Sequence, residues 1–70
     1  MTSTNALVTL ATRLFKGNEY SKAIRAASRL LKEDPGAAIG WAVRGLSQHA
    51  LHNHSDALPD LKRAIKIDPE

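Results

Sequence analysis

Cysteine is absent from the 70-residue sequence, so neither a disulfide nor a thiolate-held zinc can staple the chain. That absence fits a reducing compartment. Aromatic residues make up only 4% of the sequence: Phe15, Tyr20 and Trp41. No apolar run approaches the ~20 residues needed to cross a bilayer. The opening stretch MTSTNALVTLATR has no positively charged head, and threonines interrupt its apolar part. It does not read as a signal peptide, and the expected location is the cytoplasm. No segment alternates with period two, so no strand is expected. Catalytic signatures are missing as well. There is no G-x-S-x-G, no glycine-rich phosphate loop and no carboxylate pair on one helix face aimed at a pocket. Ser47 and His49 stand two apart on a helix and point to different faces. The expectation is a protein that is not an enzyme and has no cofactor.

What is present is a repeat. Sliding the chain against itself by 34 residues superposes Asp34-Pro35 on Asp68-Pro69. Ser21 falls on Ser55, Ala23 on Ala57, Arg29 on Arg63 and Lys32 on Lys66. Softer pairs agree in type: Leu7 with Trp41, Ala11 with Gly45, Tyr20 with His54, Leu31 with Ile65. The chain reads as a single domain over residues 1–70, with repeat one at about 4–36 and repeat two at about 37–70. A domain this small buries about 60% of its unfolded surface, so its core is marginal.

Each unit reads as two helices. Leu7, Leu10, Ala11 and Leu14 recur at i, i+3, i+4, i+7, with Ser3 or Thr4 as a candidate cap. Gly17-Asn18 ends this helix, because both residues tolerate a left-handed backbone. Tyr20, Ala23, Ile24, Ala27, Leu30 and Leu31 mark a second helix that stops at Asp34-Pro35-Gly36. A third is expected from about Ala37 to His52, and a fourth from about Ser55 to Ile67. Pro59 conflicts locally with the fourth: with Ser55 as cap it would be about the fourth helical residue, and a start nearer Leu58 would remove the conflict.

A 34-residue, two-helix unit ending in Asp-Pro resembles the tetratricopeptide repeat, and the match covers essentially the whole chain. The family pattern places large, leucine-type, small and large residues on the first helix. Unit one supplies Leu7, Leu10, Ala11 and Leu14. Unit two supplies Trp41 and Gly45 but puts Arg44 and Gln48 at the other two positions. On the second helix, Ala57, Leu61 and Ala64 fit, whereas unit one exchanges small and large at Ala27 and Leu30. The resemblance implies an all-α fold of antiparallel helix-turn-helix repeats, four helices long, as a fragment of an α-solenoid. Arg44 on a face meant for burial would be costly without a partner, so it is expected to snorkel or to pair with an acid.

The resemblance also assigns candidate binding residues. Ile39, Ala42, Val43, Leu46 and Ala50 fall within about 100° on a helical wheel, in the direction that lines the family's concave groove. The matching positions of unit one include Asn5, Val8, Thr9 and Thr12. The apolar set would supply contact and the polar set hydrogen bonds, with a protein or peptide as partner. The competing expectation is that the aliphatic stripe packs inside the fold against the first helix. The family's cation-and-amide clamp for a chaperone tail is missing from the groove positions of unit two.

Three other features point elsewhere. Lys22, Arg25, Arg29 and Lys32 form a basic stripe on the second helix. No aromatics are interleaved and the net charge is only +3, so a solvated face outweighs nucleic-acid contact. His49, His52 and His54 cluster at the end of the third helix, but no H-e-x-x-H-type motif accompanies them, and His54, standing where Tyr20 stands, is expected to pack as a ring. Leu58, Leu61 and Ile65 on the fourth helix have no following helix to cover them. Repeat arrays usually need about three units, so the alternative function is self-association, with a second copy completing the array. No membrane partner is expected.

Overall fold

The turns between helices carry the repeat most plainly. A computed structural model describes residues 2–69, as α1 (Thr2–Lys16), α2 (Tyr20–Glu33), α3 (Ala38–Ala50) and α4 (His54–Ile67). No strand occurs among the described residues. Asn18 ends α1 in the left-handed region at φ 62°, and His52 ends α3 at φ 67°. Around each runs the same hydrogen-bond pair. Glu19 N–H donates to Leu14 O at 2.9 Å and Asn18 N–H to Phe15 O at 3.0 Å. In unit two, Asn53 N–H donates to Gln48 O at 2.8 Å and His52 N–H to His49 O at 2.9 Å. This is the Schellman arrangement, which satisfies the last carbonyls of a helix. Of the expected pair Gly17-Asn18, Asn18 alone takes the left-handed conformation.

Three boundaries differ from expectation. α1 begins at Thr2, so Ser3 and Thr4 both lie inside the helix instead of at its cap position; the Ser3 side chain and the residue before the helix lie outside what the structure describes. α3 stops at Ala50 instead of His52, because Leu51 and His52 are spent on the turn. α4 begins at His54, with Asn53 in the cap position and no side-chain cap bond. Pro59 is consequently the sixth residue of α4, deep enough to delete the bond its N–H would make to Ser55 O. The helix continues through it because the fourth-helix face is held by packing on α3.

Consecutive helices pack side by side, and α1 also reaches α3. Connections of a few residues force antiparallel neighbours, so the four helices form the expected all-α array. α2 is the central element, burying Ala23, Ala26, Ala27, Leu30 and Leu31. Ala11, Ala23, Ala26, Ala27 and Val43 form one core cluster, flanked by Leu14 and Phe15. Its small side chains let three helices converge.

Two glycines set the closest approaches. A Cβ on Gly40 would stand 2.8 Å from Leu31 Cδ2, and one on Gly45 would stand 2.7 Å from Leu61 Cδ2. Gly40 therefore fixes the seating of α3 on α2, and Gly45 that of α4 on α3. The second seam shows compensation between the units: Ala11 and Ala27 in unit one become Gly45 and Leu61 in unit two, so added bulk on one helix is matched by loss on the other.

Candidate interaction surface

The α3 stripe divides between core and surface. Val43 is only 3% exposed and belongs to the central cluster with Ala11 of α1. It has no surface to offer a partner, which corrects its assignment to the groove; for this residue the packing expectation is the one met. Ile39 and Leu46, one and two turns away, remain 42% and 41% exposed. Ala42 and Ala50 are half-buried. On α1, Asn5 and Thr9 are exposed, and Val8 and Thr12 half-buried.

These residues do not line one continuous cleft. Val8, Thr9 and Thr12 share a depression with Arg13 and Lys16 along α1. Ile39 and Ala42 belong instead to a cleft of about 450 Å³ completed by Leu61, Ala64 and Ile65 of α4. Asn5, Leu46 and Ala50 line neither. The α4 contribution was readable only as uncovered leucine and isoleucine. Its junction with Ile39 depends on how α4 crosses α3.

A second apolar cleft, of about 370 Å³, opens at the other end of the array. Leu7, Leu10, Leu14 and Ala26 line it, with Lys22, Arg25 and Arg29 at its rim. In unit two the corresponding positions are Trp41, Arg44, Gln48 and Asp60. Here the costly cations and amides find partners. Arg44 Nε donates to Asp60 Oδ2 at 2.8 Å and Nη2 to Asp60 Oδ1 at 3.0 Å, a bidentate pair. Arg44 Nη1 donates to Ser28 Oγ on α2 at 3.2 Å. The Gln48 amide, with its nitrogen toward α4, donates to Asp60 Oδ2 at 2.9 Å and to Asp56 O at 3.0 Å. The expected acid partner of Arg44 is thus Asp60, itself nearly buried.

Trp41 ties α3 to the Asp-Pro turn by donating from Nε1 to Pro35 O at 2.8 Å. Its ring also carries two guanidinium groups, Arg44 at 5.1 Å and Arg63 at 5.3 Å from the centroid. The basic stripe Lys22, Arg25, Arg29 and Lys32 is exposed throughout, and Lys22 pairs with Glu19 at 3.1 Å.

His54 does pack as a ring. Its centroid lies 4.8 Å from that of His49, matching the Phe15–Tyr20 edge contact at 5.9 Å in unit one. The two imidazoles approach at their Nδ1 atoms, 3.0 Å apart. Among the described residues no three ligating side chains are placed to hold a metal ion. Among the same residues no helix is long and apolar enough to cross a membrane.

No protein-family model matches the chain. Over 56 residues the sequence is 32% identical to Protein STIP1 homolog of Dictyostelium discoideum, a stretch that covers 80% of this chain and 10% of that relative. The chain thus corresponds to about a tenth of the length of the curated relative it matches. Similarity at this level, together with four helices that repeat at 34 residues, fits a two-repeat helical fragment.

Proposed function

We propose that this chain is a pair of tetratricopeptide-type repeats that acts as a protein-interaction module, without catalysis of its own. Its partner is a peptide or helix laid against the α1 and α3 faces. The observation that carries this reading is the exposure of Ile39 and Leu46 on one side of α3, two large aliphatic side chains in water with polar Asn5 and Thr9 exposed on α1. Half-buried Ala42, Ala50, Val8 and Thr12 would form the floor. Exposed aliphatic surface on a small domain commonly marks a binding site, and helical grooves recognise partners through spaced apolar anchors. The resemblance to a stretch of Protein STIP1 homolog supports a repeat-type module.

Selection of a displayed peptide library on the chain tests the reading. Peptides that bind the parent are expected to lose binding to Leu46→Asp while its far-UV circular dichroism stays unchanged. Undiminished binding of every selected peptide by the folded variant overturns the groove assignment. Loss of helicity would instead make Leu46 a structural residue.

A further inference from the structure

The two ends of the array are matching halves of a junction that the chain already contains. Where α3 sits on α2, Gly40 meets Leu30 and Leu31, Arg44 reaches Ser28, and Trp41 donates to Pro35 O. Leu30 is fully buried there and Leu31 is 7% exposed. Moving the α2 side of this junction along by one repeat gives Ala64, Ile65, Lys62 and Pro69. That surface is open: Ile65 is 64% exposed, beside the cleft formed with Ile39, Ala42 and Leu61. Moving the α3 side back by one repeat gives Ala6, Leu7 and Leu10. That surface is open too, with Ala6 exposed and Leu10 43% exposed at the mouth of the opposite cleft.

We infer that copies of this chain associate head to tail, the α4 end of one seated against the α1 face of the next, so that the α2–α3 junction is reproduced between chains. The inference rests on the repeat reading and is independent of what the groove binds. The occupant is a second copy because one chain carries both complementary halves. Each presents exposed aliphatic side chains, Ile65 on one and Leu10 on the other, where its counterpart inside the chain is covered by a neighbouring helix.

The residue exchanges fit this pairing. At the internal junction a glycine is required, because a Cβ at Gly40 would stand 2.8 Å from Leu31 Cδ2, 3.0 Å from Leu31 Cγ and 3.1 Å from Leu30 Cδ2. Between chains, Ala6 would face Ile65 and Ala64, and Ala64 lacks the branch by which Leu30 crowds Gly40, which leaves room for a methyl group. Leu10 stands where Arg44 stands, and Ala26 where Asp60 stands. The α1 face therefore presents aliphatic surface where α3 presents an ion pair, and the cations that border the contact, Lys62 on one side and Lys22, Arg25 and Arg29 on the other, have stems long enough to keep their charges in water. Two different surfaces are joined in this contact, so it does not close on itself. Growth continues beyond a dimer as concentration rises.

Sedimentation velocity of the full chain, from low micromolar to near-millimolar concentration, tests this. The parent is expected to show a sedimentation coefficient that rises with concentration past the dimer value. Leu10→Glu spoils the α1 face and Ile65→Glu the α4 end, so each variant alone is expected to remain a monomer. Mixed in equal amounts, they are expected to form a dimer and stop there, because only one intact pair of surfaces is left. Circular dichroism checks that each variant is folded, and Leu10→Lys and Ile65→Lys replace any that is not, since a lysine stem keeps the local packing. A parent that stays monomeric at every concentration overturns the inference and leaves the groove reading untouched. Self-association that survives Leu10→Glu overturns it in favour of a two-fold pairing of α4 ends.

Discussion

Unit one and unit two share a backbone and differ in chemistry. Their turns place Asn18 and His52 at nearly the same left-handed angle, and the second helices start and stop 34 residues apart. The surface beside the turn nevertheless changes character. Leu10, Leu14 and Ala26 line an apolar cleft in unit one, whereas Arg44, Gln48 and Asp60 form a hydrogen-bonded polar cluster in unit two. The ring pair at the hairpin changes from Phe15–Tyr20, an edge contact at 5.9 Å, to His49–His54, a tilted contact at 4.8 Å. The repeat is therefore specified by turn geometry and by small residues at helix crossings. The remaining positions accept different side chains provided their partners change with them.

Grafting unit-one residues into unit two tests that conclusion. The largest effect is expected from Asp60→Ala, which leaves Arg44 with the Ser28 hydroxyl and the Trp41 ring but no counter-charge. The side chains of Arg44 and Asp60 are 24% and 9% exposed, so the loss lies toward the low end for a buried pair, about 2–3 kcal/mol in urea unfolding. Adding Arg44→Leu should recover most of it, to within about 1 kcal/mol of the parent, since an apolar pair replaces the ionic one. A double variant no more stable than Asp60→Ala alone would show that the two units are not interchangeable at this site.

Next comes Pro59→Arg, which installs the residue of unit one at position 25 and restores an N–H to the interior of α4. A gain of about 1–3 kcal/mol is expected, seen as a higher thermal midpoint. A lowered midpoint would mean that packing of the proline ring matters more than the missing bond. The smallest effect belongs to His52→Asn. Asparagine adopts the left-handed conformation at lower cost, so a gain of about 0.5 kcal/mol is expected. A loss of stability there would assign the His52 ring, 5.9 Å from that of His54, a packing role that outweighs its backbone strain.

Much of the fold was legible because its determinants are local. Asp-Pro twice at the same spacing, Gly17-Asn18 at the first hairpin and aliphatic periodicity of one helical turn are enough to place four helices, whereas the left-handed turn at His52 reads as helix until the structure shows it. The start of α4 was less legible. Asn53 and Ser55 are both good cap residues, and Pro59 argued for a later start than packing on α3 imposes. The candidate groove was legible only by analogy between positions. Five residues on one side of α3 looked equivalent, yet Val43 lies inside the core and Leu46 in water.

The sequence by itself determined the repeat, the helices, their turns and the small residues that let them cross, because each depends on neighbours a few residues away. Only the tertiary structure decided which aliphatic residues are core and which are surface, and that Asp60 is the acid that receives Arg44. Leu31 and Ile65 make the same point. They occupy the same position of the repeat with nearly the same side chain, yet one is 7% and the other 64% exposed. The difference is that α3 seats Gly40 directly on Leu31, whereas Ile65 borders the open cleft it shares with Ile39 and Ala42. Burial is a property of the neighbour that covers a residue, and that neighbour is set by the packing of the whole chain.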